Sequence, residues 1–171
     1  MKYAHLIVVL TLLIAACEEA PQPKPIPVWN EEKSTEMNRE LAMEEDLAIQ
    51  LYLSQHENWE VESTGSGLRF IRMKKGEGPI ATSGRDAKVQ LHVFLLDGTE
   101  CYTTPSDEVE VFRIDKSDIE TGVQEGIKKM HVGDKARLLI PSHLAHGLMG
   151  DLNKIPPLTT IIVDIELIEL V

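Results

Sequence analysis

Over the second half of the chain, hydrophobic and polar positions alternate with a period of two. In "AKVQLHVFLL", Ala87, Val89, Leu91, Val93 and Leu95 fall on one side, and a "DG" turn follows. In "TTIIVDIELIEL", Ile161, Val163, Ile165 and Leu167 face one way while Asp164 and Glu166 face the other. "NWEVES" and "LRFIRMKK" flank the turn signal "TGSG", which predicts two further strands. "VEVFRI" and "DKARLLIP" add shorter ones, the second ending at a proline. A short helix interrupts this pattern within "SDIETGVQEGIKKM", with Ser117 or Asp118 positioned to cap it. Many strands with one short helix predict an α+β fold, an antiparallel sheet with the helix against it. No internal repeat is visible.

The first half follows another rule. From Glu31 to about residue 55 there is no Gly or Pro, and Leu41, Ala48, Leu51 and Tyr52 fall near one face. This predicts an amphipathic helix, with Asn30 as its N-cap and Glu31 and Glu32 favourable in its first turn. Such a stripe serves either to dock the helix on its own domain or to hold a second copy or partner. Before it, prolines at 21, 23, 25 and 27 forbid helix and favour an extended tether. At ~3.1 Å per residue, residues 18–30 would span about 40 Å.

The chain opens on a basic head and the apolar run "LIVVLTLLIAA". That run is about half the roughly twenty residues a membrane-crossing helix needs. It has the form of a removable secretory signal, and its end, "IAAC", resembles a bacterial lipobox, which implies lipidation at Cys17. An ordinary signal peptide that happens to precede a cysteine is the plainer alternative. The predicted organisation is a signal peptide over 1–16, a lipidated Cys17 and proline-rich tether over 17–30, an amphipathic helix over 31–57, and a folded domain over 58–171. The expected location is the cell envelope, periplasmic or surface-facing, with membrane attachment through acyl chains on Cys17.

Composition narrows the partners. A formal net charge of −11 gives nothing for nucleic-acid phosphates to bind, so nucleic acid is not an expected partner. The chain has 2 cysteines, and acylation of Cys17 would leave Cys101 without an intramolecular disulfide partner. Stability must then come from an apolar core.

Four separated stretches carry a resemblance, in order and with preserved spacing. "V.LHVFLLDG", "TGVQEGIKKMHVGDKARLLIP" and "IPPLTTIIVDIELIEL", preceded by the strand opening "GL.F", resemble the motifs of FKBP-type peptidyl-prolyl isomerase domains over about residues 63–171. "GTECYT" (98–103) and "GDLNKI" (150–155) are most similar to motifs of FKBP-like bacterial lipoproteins associated with gliding motility. The resemblance implies a curved antiparallel sheet wrapped on the short helix. It also implies a pocket for proline-containing segments of exported proteins, and no cofactor.

Prolyl isomerisation must twist a conjugated amide over a barrier of roughly 20 kcal/mol. It needs no nucleophile or metal. A dry, flat-walled apolar pocket suffices, with a few donors to hold the twisted form. The resemblance places the pocket on residues that depart from the family. Val93 stands where the family has a tyrosine, and Cys101 and Tyr102 stand for a phenylalanine and an aspartate. Glu110 and Phe112 occupy the positions of two phenylalanines. Ile119 and Glu120 take the place of a valine–isoleucine pair, where a backbone N–H holds the substrate carbonyl. Val123 replaces the floor tryptophan, His146 a rim tyrosine and Val163 a phenylalanine, while Ile155 is kept. A one-residue deletion between Val93 and Asp97 would make Phe94 the wall residue instead, but strand alternation turns that ring to the other face. Each lost ring forfeits about 0.5–1.5 kcal/mol beyond burial, so weak activity is expected.

Two sharper readings compete locally. His143 and His146, three apart, could chelate a metal with His131 as a further donor, but tetrahedral sites need more ligands than the sequence offers nearby. Cys101 could be a nucleophile, but no base adjoins it, and a buried inert thiol is the alternative. His92 matches the family's strand histidine and reads as structural. Two functions follow. One is a membrane-tethered isomerase assisting the folding of exported proteins. The other is a catalytically degenerate chaperone or scaffold of an envelope assembly, with helix 31–55 as the partner surface.

Overall fold

A computed structural model describes residues 30–171. The predicted signal peptide, Cys17 and the tether to residue 29 lie outside the described residues. The chain divides into two units, 1–34 and 35–171. In the first, the Asn30 side-chain carbonyl accepts the Lys33 N–H at 2.9 Å, the predicted helix cap.

The elements are α1 (Glu31–Ser54), β1 (Val61–Ser63), β2 (Arg69–Lys74), β3 (Asp86–Leu95), β4 (Glu100–Thr103), β5 (Glu110–Arg113), α2 (Thr121–Ile127), β6 (Lys135–Ile140) and β7 (Ile161–Leu170). The strands form one antiparallel sheet in the order β1-β2-β6-β7-β3-β4, with β5 also paired to β3. Register shifts in β2, β3 and along the β3–β7 pair bend the sheet. On one face, Ala87, Val89, Leu91, Val163, Ile165 and Leu167 join Val123, Ile127 and Met130 in the main core. The predicted α+β architecture, a curved sheet wrapped on a short helix, is the observed one.

α2 lies close against the sheet because it presents glycines. A Cβ at Gly122 would come within 2.2 Å of Ile140 Cγ2, and one at Gly126 within 2.6 Å of Leu138 Cδ1. The cap of this helix differs from the prediction. Glu120 holds the N-cap position without a side-chain capping hydrogen bond. Ser117 instead accepts the Arg113 N–H, and Gln124 folds back to accept the Asp115 N–H and donate to the Ser117 carbonyl. The turn before α2 is thus stitched by Ser117 and Gln124, and Asp118, the other predicted cap, makes no capping hydrogen bond.

The other sheet face carries a second core of Ile49, Ile71, Leu139 and Ile162, with Tyr52, Leu53 and Trp59 packed against it. Within the 35–171 unit, α1 therefore docks on its own domain. Its buried face overlaps the predicted stripe only in part: Tyr52 packs on this core and Leu41 is half-buried, but Ala48 is exposed, and Ile49 is 1% exposed while Leu51 is 63% exposed. Two carboxylates on the docking face displace the apolar pattern. Glu45 accepts the Ser142 N–H (2.8 Å), the Ser142 hydroxyl (2.7 Å) and the Thr160 hydroxyl (3.1 Å), and Asp46 pairs with Arg69.

Between β6 and β7, the turn at 150–155 is organised by Asp151. One carboxylate oxygen accepts the Asn153 and Ile155 N–H groups, at 2.9 and 2.7 Å, and the other accepts the Tyr102 hydroxyl. Gly150 has φ 65°, and a Cβ there would strike the Ile155 carbonyl at 2.2 Å, so this close turn requires glycine. Burial raises the Asp151 pKa, but the Tyr102 hydroxyl, the two backbone N–H groups and the His146 charge outweigh it. The carboxyl settles at about 2, below its ordinary 3.8.

Two expectations follow. Ile49→Ala should destabilise the protein by about 2–4 kcal/mol in urea unfolding, whereas Leu51→Ala should change it by under about 0.5 kcal/mol; the reverse order would mean the helix docks by its other face. A depressed folded pKa contributes stability that is present above about pH 4 and disappears as pH falls through about 2. Wild-type urea midpoints should therefore drop more between pH 4 and pH 2 than those of Asp151→Asn, and parallel profiles would contradict this.

Candidate functional site

A cleft of about 460 Å³ opens where β3, β4, β5 and the start of α2 meet. Its apolar wall is Leu91, Val93, Phe112 and Ile119. Tyr102 and Thr103 of β4 form one side, and Glu110, Ser117, Asp118 and Glu120 line the rest with Val111. β3 and β5 supply the wall because their pairing sets Ala87 opposite Phe112, so Phe112 turns into the main core and is 7% exposed. The backbone N–H of Glu120, just ahead of α2, has no acceptor among the described residues. It belongs to the Ile119–Glu120 pair, at which the resemblance expects a backbone N–H to hold a substrate carbonyl.

The ten residues named from the sequence divide between wall and floor. Val93, Tyr102, Phe112, Ile119 and Glu120 line the cleft. Cys101, Val123, Ile155 and Val163 do not: each is 1–2% exposed and belongs to the packed core beneath it. His146 also stands outside the lining but touches it, with its Nε2 3.1 Å from Glu120 Oε1. Val93 faces Tyr102 across the β3–β4 pair and Val163 across the β3–β7 pair, so wall and floor residues adjoin. Phe94 packs on the opposite sheet face with the second core, as strand alternation requires.

Tyr102 is fixed on its outer edge. Its hydroxyl donates to Asp151 and accepts from Asn153 Nδ2 at 3.2 Å, and the Lys154 ammonium sits 5.0 Å above its ring. Lys154 also donates to the Cys101 carbonyl at 2.5 Å. The segments "GTECYT" and "GDLNKI", far apart in sequence, are thus one contact. Asp151, Asn153 and Lys154 position the cleft, and sequence reasoning gave them no role, although both motifs stood out there as a pair.

Cys101 is buried, with its sulfur near the Thr99 and Lys154 carbonyls at 3.9 and 3.8 Å. Burial, then the Asp151 charge, push its thiol above the ordinary value, so it stays protonated and inert. The two histidines go separate ways: His143 Nε2 contacts the Ser66 carbonyl at 2.9 Å, and His146 pairs with Glu120. Among the described residues, no three His, Cys, Asp or Glu side chains form a metal-binding group. His92 is an exposed cross-strand partner of Thr103, at 3.0 Å from its hydroxyl.

Residues 78–168 match the family profile of the FKBP-type peptidyl-prolyl cis-trans isomerases. The chain is 34% identical over 110 residues to the FKBP-type 22 kDa peptidyl-prolyl cis-trans isomerase of Escherichia coli, covering 64% of this chain and 53% of that one. It is 34% identical over 111 residues to FkpA of Buchnera aphidicola, an FKBP-type peptidyl-prolyl cis-trans isomerase, covering 64% and 43%. The crystal structure of FkpA from Escherichia coli superposes with a TM-score of 0.66 at 27% identity, over 80% of this chain and 63% of that one. The chain spans about half the length of these curated relatives. With the fold, the cleft and the profile in agreement, this chain belongs to the FKBP-type peptidyl-prolyl cis-trans isomerase family.

Proposed function

We propose that this protein is an envelope-located, membrane-tethered prolyl isomerase that assists the folding of exported proteins, with a low intrinsic rate. The observation that carries the reading is the cleft itself: an aliphatic wall with Phe112 at its base and the Glu120 N–H at its edge. A proline ring would lie on Leu91, Val93 and Ile119, with its preceding carbonyl reaching the Glu120 N–H. Exclusion of water from that amide removes the solvation that favours its planar, polar form. The rate is low because aliphatic walls replace rings and hold the imide less firmly. The lipobox-like "IAAC" supports anchoring through Cys17, in the periplasm or at the surface.

The second reading is a degenerate chaperone or scaffold in an envelope assembly, motility being the case its motifs resemble. Met43, Leu47 and Leu51, spaced four apart on the undocked side of α1, are 63–66% exposed, and Leu148 and Leu152 are exposed at the β6–β7 loop. They give an envelope partner apolar surface that catalysis does not use.

The full chain should isomerise Ala-Leu-Pro-Phe faster than background, and Val93→Tyr, which returns a ring beside Tyr102, should raise kcat/KM about three- to tenfold. A background rate from folded protein would leave the scaffold reading standing. In a bacterium that processes lipoproteins, Cys17→Ser should move the protein from the membrane pellet to the soluble envelope fraction; wild type found in the soluble fraction would remove the anchor.

A further inference from the structure

Two of the family's apolar wall positions are carboxylates here. Glu110 stands where the resemblance expects a phenylalanine, Glu120 where it expects an isoleucine, and Asp118 joins them on the same cleft. We propose that this acidic rim makes the site selective for proline segments that carry Lys or Arg beside the proline. The proposal rests on the isomerase reading of the cleft and names its substrate class.

The charges are available. Glu110 is exposed, and one of its oxygens accepts the Thr104 hydroxyl at 2.8 Å, a bond that orients the carboxylate without neutralising it. Asp118 is exposed and has no hydrogen-bond or ion-pair partner among the described residues. Glu120 is half-buried, and the His146 Nε2 lies 3.1 Å from its carboxylate. The cationic side chains near the rim are committed or set back. Lys154 donates to the Cys101 carbonyl and covers the far edge of Tyr102. Arg113 holds Asp86 with two hydrogen bonds, and Lys128 holds Asp115. Lys116 lies in the exposed turn ahead of Ser117 and is the remaining local cation in that segment. No Lys or Arg lines the cleft.

The geometry then separates two jobs. The aliphatic wall can take the proline ring, and the Glu120 N–H can take the preceding carbonyl. Both contacts are independent of sequence around the proline. The residue next to the proline projects past the wall toward the rim, where it meets carboxylates on β5 and on the turn before α2. A lysine or arginine there gains attraction from Asp118 and Glu110, and an acidic residue is repelled. The net charge of −11 adds a long-range term of the same sign. Rim charges near water are screened, so the effect is a preference of modest size that salt weakens.

The test compares Ala-Xaa-Pro-Phe peptides with Xaa as Lys, Leu or Glu on the full chain. At low ionic strength, kcat/KM for the lysine peptide should exceed that for the glutamate peptide about tenfold, mostly through KM, and the ratio should shrink at about 0.5 M salt. The double variant Glu110→Gln, Asp118→Asn should bring the ratio to about three or below. Calorimetric titration of the same peptides reads the same ratio as affinities, even for a protein whose turnover is at background. Background turnover would therefore sink the isomerase reading while the affinities still judge the rim. Equal values for Lys and Glu peptides, or a ratio that survives the double variant, would overturn the proposal.

Discussion

The seat of α2 on the sheet is the constraint on which the rest depends. Gly122 and Gly126 leave no room for a methyl group against Ile140 and Leu138, so the helix lies directly on β6. That depth brings Val123 and Ile127 into the main core and sets the Glu120 N–H at the mouth of the cleft. A helix held farther off would lift Ile119 from the wall and carry the donor away from Val93 and Phe112. The approach is enforced by backbone-to-side-chain packing, which is stiff because core density leaves little slack.

A second linkage fixes the opposite side. Asp151 collects three donors, and one of them, the Tyr102 hydroxyl, belongs to the cleft's lining. The β6–β7 loop and β4 are therefore tied together at the site, and Lys154 closes the same joint from the other side of the ring. Glu45 of α1 ties the start of that loop, Ser142, to Thr160 at the start of β7. The loop that brings His146 to Glu120 is thus held at both ends by buried or half-buried carboxylate contacts, each stronger than a neutral hydrogen bond.

Much of the sheet was legible because period-two alternation has one physical cause. Strands half-buried on a single face must alternate, and β3 and β7 do. The docking face of α1 was not legible because it is partly polar. Glu45 and Asp46 read as solvent residues in any hydrophobicity pattern, yet each is met by a partner from the sheet side. The apolar stripe read from the sequence omits Ile49, which is buried, and includes Leu51, which is exposed. The α2 cap differs for a similar reason: of its two candidates, Ser117 accepts the nearer Arg113 N–H, and Asp118 makes no capping bond. At the site, the residues named by the resemblance lie partly on the cleft and partly in the core beneath it, and the burial of Cys101, Val123, Ile155 and Val163 was not legible. Covering depends on how far neighbouring chains close over small side chains, and that is a tertiary property.

That closure bears on the chemistry. Where rings line a pocket, depth and flatness hold a proline by area. Here the floor residues are each 1–2% exposed, so they add no contact to a guest, and the wall alone is available. A shallow aliphatic wall discriminates poorly among apolar residues, since one methylene more or less is worth only about 1–3 kcal/mol even in a closed pocket. Orientation must then come from groups that act at longer range. The groups left on this cleft are the Glu120 N–H and the carboxylates around it, so under the proposed charge preference the loss of rings and the gain of charge would act as one change, moving recognition from the proline ring toward its flanking residue.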